Sequence, residues 1–209
     1  MTHRDAPAQR DMVVGTAFVA APVFMLVYGV VRLLWGRPGP GVGWTIGHLA
    51  FLISLVLFGV VLLGLRRLAA SPRRPLRVAA DVSVMVGMLG LAASIVQVSV
   101  DIVAGMVATD HAGMTAIFEA FQATPGVVPA VYAIGPQLLF VALIILSALA
   151  TAAHRMHPAA TAALIAGAAL IPLTLDLLPA TALCYLTALT PTALTTTGRP
   201  ENRAQPIKS

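Results

Sequence analysis

Five stretches of this chain are each long and apolar enough to cross a lipid bilayer as a helix, which leaves few folds open to it. The hydrocarbon core is about 30 Å thick and takes about 20 apolar residues to span. It holds no water, so the backbone there must satisfy its own hydrogen bonds, as a helix does. The runs are 12–34, 44–65, 82–107, 131–153 and 159–183. They predict an all-α, polytopic transmembrane helical bundle of five spans, the last kinked by Pro172 and Pro179. The first run exceeds the roughly 7–15 apolar residues of a signal peptide, so it is expected to stay as an uncleaved span. Residues 1–11 precede the bundle, and 191–209 are expected to form a disordered polar tail.

Composition agrees. Of 209 residues 58% are hydrophobic and only 10% are charged, against about 25% charged in soluble domains. The net charge of +5 is spread over short connections rather than one soluble face, which argues against nucleic-acid binding. Arg66, Arg67, Arg73, Arg74 and Arg77 crowd the connection between the second and third runs. Basic loops stay in the cytoplasm, so these five arginines set the topology and place the N-terminus inside. With five spans, Arg199, Arg203 and Lys208 would fall outside. Twelve Arg against one Lys, with abundant Ala, matches a high-GC bacterium, so the expected location is a bacterial cytoplasmic membrane. Trp35 and Trp44 bracket the first external turn as interfacial anchors.

The third run carries a stripe at helical spacing: Ser83, Gly87, Gly90, Ser94, Gln97, Asp101 and Gly105. Small residues let a second helix approach closely, so Ser83, Gly87, Gly90, Ser94 and Gly105 read as a helix-packing surface. Gln97 and Asp101 make the external half of the stripe polar. Asp81 lies near Arg77 and is expected in an interfacial ion pair. In the loop after this span Met114, Ile117, Phe118 and Phe121 share one face of a short amphipathic helix, lying on the membrane or capping the bundle.

Ionisable groups inside spans are costly, by roughly 2.5–3.5 kcal/mol on insertion scales, and tend to be functional. His48, Gln97, Asp101, Gln137 and Asp176 all fall in the outer half of their spans, and form the candidate polar cluster. A His–Asp pair there could relay protons, bind a solute, or act as acid and base. Each residue alone could equally be a satisfied buried hydrogen-bonding group. The lone Cys184 allows no intrachain disulfide and no cysteine metal site, and no phosphate loop, dinucleotide fingerprint or nucleophile elbow is present. No cofactor or metal is expected.

Gly64 to Leu68 (Gly-Leu-Arg-Arg-Leu) closes the second span, the third is polar-striped, and a His154-Arg155 turn precedes a Pro-broken final span. In this layout, over about residues 44 to 180, the chain resembles small multi-pass bacterial integral membrane proteins of unknown function. The resemblance implies location and fold, and no activity. Three functions fit: a small-solute or proton-linked permease or transport accessory; a non-catalytic scaffold, sensor or assembly partner; and an intramembrane enzyme acting on a lipid or isoprenoid. The expected partners are membrane lipids and a second copy of the chain or another membrane protein.

Overall fold

The computed structural model describes residues 5–35 and 39–197, and among them every regular element is helical. The helices are α1 (Asp5–Trp35), α2 (Val42–Leu68), α3 (Arg74–Val107), α4 (His111–Gln122), α5 (Gly135–Ala152), α6 (Pro158–Leu170) and α7 (Leu178–Thr197). A π-helical turn, Val128–Ala133, leads into α5, and a 3-10 turn, Leu175–Leu177, leads into α7. Five helical stretches are long and apolar enough to span a membrane: Gln9–Trp35, Val42–Leu68, Arg74–Val107, Val128–Ala152 and Leu175–Leu194. The chain is an integral membrane helical bundle.

Two ends can be told apart. At the basic end Arg10 of α1 lies near Arg67 of α2, and Arg155 donates to the Arg67 carbonyl at 3.5 Å. Arg66 grips one carboxylate oxygen of Asp81 with two nitrogens, at 2.8 and 2.6 Å. The ion pair expected at Asp81 is thus made across to α2, rather than to Arg77 one turn back on its own helix. Arg67, Arg73, Arg74 and Arg77 are exposed. At the opposite, tryptophan end lie Trp35, Trp44 and α4.

The largest departure from expectation is in the final apolar stretch. A single span over 159–183 is expected, but the structure divides it into α6 and α7, which run antiparallel. The Thr181 hydroxyl donates to the Gly167 carbonyl at 3.1 Å, while Ala160 and Thr192 share a cavity wall at the basic end. Pro172 has no N–H to continue α6. The Thr174 hydroxyl then accepts from the Asp176 N–H at 3.2 Å, shaping the turn, and Pro179 enters the first turn of α7, where its missing donor is tolerated. With 13 residues α6 is only roughly 20 Å long. The exposed residues 172–176 carry the chain on to the level of Arg32.

The described chain thus has five helices of spanning length and the shorter α6 beside α7, and α7 ends at the level where α1 begins. The helix also continues past Pro191 to Thr197, because Thr192 and Ala193 are buried against the bundle. The start of the expected polar tail is thus helical, and residues 198–209 lie outside the described residues. Reporter domains fused before residue 5, in the α2–α3 connection and after Thr197 should all be found on one side of the membrane. A C-terminal reporter on the other side would contradict the antiparallel pair.

The small-residue stripe packs. Ser83, Gly87, Gly90, Ser94 and Gly105 are all buried. A Cβ on Gly87 would lie 2.7 Å from that of Ala142, and one on Gly90 would strike the α5 backbone at Leu139 N and, at 2.7 Å, Gly135 O. The core continues through Phe18, Met25, Phe58, Leu143 and Tyr185, each with almost no exposure. The Tyr185 ring meets Phe58 and Phe140 at centroid distances of 5.9 and 6.5 Å, joining α7 to α2 and α5. Val56, Leu63, Met85, Leu89 and Met106 point outward, as suits a lipid-facing surface.

Candidate functional site

Two antiparallel helices joined by a short turn build the tryptophan end. On α1, Tyr28, Arg32 and Trp35 fall at helical spacing; on α2, so do Trp44, His48 and Phe51. The two sets face one another. The Tyr28 ring meets His48 edge-on at 5.1 Å and stacks on Phe51 at 4.6 Å. The Trp44 ring lies 4.0 Å from that of His48.

Each indole rests on a glycine. A Cβ at Gly43 would sit 2.7 Å from the Trp35 ring, and one at Gly105 would strike Trp44. Trp44 is thereby pressed against α3, where its Nε1 donates to the Asp101 carbonyl at 2.7 Å. Its own carbonyl faces His48 Nδ1 at 2.8 Å. One residue thus ties down both members of the pair.

The imidazole chemistry follows from those partners. A backbone carbonyl only accepts, so the hydrogen resides on Nδ1. Nε2 faces Asp101 Oδ2 at 3.8 Å. The His48 side chain is 6% exposed and that of Asp101 17%. With no proton available, a nitrogen lone pair would confront a carboxylate. One proton relieves this, either as imidazolium with carboxylate or as imidazole with carboxylic acid. The arrangement is built to hold a single proton between two helices.

A cavity of about 320 Å³ opens beside it. Its walls include Tyr28, Arg32, Trp35, Trp44 and His48, with the backbone of Gly39 to Gly43 forming the remaining side. Arg32 donates through Nε to Asp176 at 3.3 Å, and its guanidinium also interacts with the Tyr28 hydroxyl. The Asp176 side chain is 62% exposed, so this pair sits at the rim in water. Over the same end, α4 is N-capped by Asp110, which accepts from Gly113 N–H at 2.8 Å. Met114 is buried, Phe118 approaches Trp44 and Phe121 meets Tyr132. The apolar face of α4 is turned onto the bundle as a cap.

Of the five residues expected to cluster, the structure brings His48 and Asp101 together. Asp176 lies in the turn before α7, and meets the cavity only through Arg32. Gln97, one turn from Asp101, is half-buried and hydrogen-bonds to neither member of the pair. Gln137 is exposed on α5, turned away from the site. Depth along a span does not specify rotation about the helix axis. Sequence reasoning passed over Tyr28 and Arg32. Their signal was the i, i+4 pair Tyr28–Arg32 facing the i, i+4 pair Trp44–His48 across a short turn. Among the described residues no group of three His, Cys, Asp or Glu side chains converges to hold a metal ion. No protein-family model, no curated protein and no solved structure matches this chain.

Proposed function

We propose that this integral membrane protein handles a small solute at its tryptophan end, as a permease or transport accessory, with His48 and Asp101 exchanging a proton as it works. The observation that carries this reading is the position of the pair. A titratable couple is desolvated between α2 and α3, and one member, His48, lies on the wall of a cavity large enough for a small molecule with Asp101 behind it. A purely structural histidine needs only its carbonyl partner, and the second acidic partner supplies a proton site. In a bacterial cytoplasmic membrane the basic end would face the cytoplasm and the cavity the outside. Lipid would cover the outward-facing apolar side chains.

Both tryptophans of the chain line the cavity, so intrinsic fluorescence reports on the site without a label. In a Trp35→Phe background, Trp44 lies against His48, and imidazolium quenches indole more than imidazole does. Emission should follow one protonation step as pH is varied. His48→Gln should abolish the step and Asp101→Asn should displace it. A step that survives His48→Gln unchanged would remove the proton-exchanging role.

A further inference from the structure

We propose that the cavity at the tryptophan end binds a small organic acid as its anion, with the acidic oxygens on Arg32 and the apolar body between the indole rings. This rests on the solute-handling reading above and names the class of solute.

The charge of the cavity wall carries the inference. Among the described lining residues Arg32 is the one permanently ionised group, and none is a carboxylate. Asp101 stands behind His48 rather than on the wall, and Asp176 holds Arg32 from the solvent side through Nε alone. A guanidinium has five donors, so with Asp176 on Nε and the Tyr28 hydroxyl also engaged the rest of its fork is left for a further acceptor. The N-terminal turn of α2 forms the facing wall with no acidic residue in it and no side-chain cap on its first N–H groups, which adds to the positive potential. A cation would find no counter-charge on this wall.

The remaining lining sets the shape. Tyr28, Trp35 and Trp44 contribute aromatic rings to it. These suit a planar or short aliphatic body, and Trp35 can move because it is 67% exposed. At about 320 Å³ the space falls at the lower end of small-molecule sites, roughly 300–1,000 Å³, and would not enclose a two-chain lipid.

Three isosteric probes separate charge from shape: benzoate, benzamide and benzamidine. Their binding to the full-length protein in detergent is read by tryptophan quenching and by calorimetry. Benzoate should bind best, benzamide about tenfold more weakly, and benzamidine not at all. Arg32→Gln should cost benzoate about tenfold or more, with the order of the probes lost. Should Arg32→Gln fail to fold, Asp176→Asn gives an independent arm. It frees the guanidinium, so benzoate should bind several-fold more tightly. Preference for benzamidine, or equal binding of all three, would overturn the anion assignment while leaving the proton step at His48 intact. Displacement of benzoate by dihexanoyl phosphatidate, with the same dependence on Arg32, would overturn the small acid in favour of a lipid headgroup. Loss of both the proton step and all probe binding would sink the solute-handling reading itself.

Discussion

Gly90→Leu should yield no folded protein. The reason is the identity of what a side chain there would meet. At most glycines of the bundle an added Cβ meets another side chain; at Gly59, for instance, it meets only a Leu91 methyl, which can turn aside. At Gly90 the obstacles are main-chain atoms of α5, Leu139 N and Gly135 O, and they cannot rotate away. Helices α3 and α5 would have to separate, undoing the dispersion contacts that hold helices together in lipid. Overpacking a core typically costs about 1–3 kcal/mol, and more when the backbone must move. A leucine here forces two helix backbones apart, so its cost should exceed that range and consume most of a total stability of roughly 5–15 kcal/mol. Size-exclusion chromatography in mild detergent should show aggregate in place of the monodisperse peak of the unmutated protein. Gly39→Ala serves as the control, because nothing lies within 4 Å of its Cβ, and it should leave the profile unchanged. A monodisperse, stable Gly90→Leu protein would contradict the α3–α5 packing.

Gly105→Leu should leave the bundle standing but dismantle the site. Gly105 lies in the last turn of α3, and its neighbour is the Trp44 indole, a side chain that can swing out. Displacing it breaks the 2.7 Å hydrogen bond to the Asp101 carbonyl and removes the ring stacked on His48. The loss should amount to about 1–3 kcal/mol, from overpacking and one hydrogen bond. In a Trp35→Phe background the emission of Trp44 should move to the red as the indole meets water. The protonation step at His48 should lose its fluorescence signature, because the reporter has left. An unchanged emission maximum would mean that Trp44 is not seated on Gly105.

Much of the bundle was legible in the residues. Hydropathy locates the first, second and fourth spanning helices within three positions and the third apart from its first eight residues, because a run of about 20 apolar residues has no other stable use in lipid. Spacing located the packing face of α3, and every small residue of that stripe is buried. The fold of 158–197 was harder to read for a physical reason. A turn made of Ile, Pro, Leu and Thr is nearly as apolar as the helices beside it, so a hydropathy window slides over it. The decisive features are local: the missing donor of Pro172, the Thr174 hydroxyl on the Asp176 N–H, and Pro179 at a helix start. The charge distribution held a second hint. Arg199, Arg203 and Lys208 follow a helix that ends at the basic end, where the other basic residues collect.

The site was half legible. His48 and Asp101 stood out as ionisable groups in apolar runs, and the structure pairs them. Gln137 looked equivalent by depth, yet its helix turns it outward. Arg32 looked like a flanking charge, yet it lines the cavity. Rotation about the helix axis is set by packing, here by glycines that seat the two indoles, and a single sequence shows that only when the partner of each glycine is known.

The most direct test of the account is the protonation of each His48 ring nitrogen, read by NMR on protein carrying 15N-imidazole histidine in lipid nanodiscs. The His48 signals are assigned by their loss in His48→Gln. Between about pH 5 and 9, the range in which histidines titrate, Nδ1 should stay protonated throughout, held by the Trp44 carbonyl. The Nε2 resonance should move upfield from that of a bare nitrogen as the pH falls, fully if it takes the proton and partly if it accepts from an Asp101 carboxylic acid, at a midpoint that Asp101→Asn displaces. A His48 with its hydrogen on Nε2 and a bare Nδ1, or one whose nitrogens do not change across the range, would contradict a proton held between His48 and Asp101.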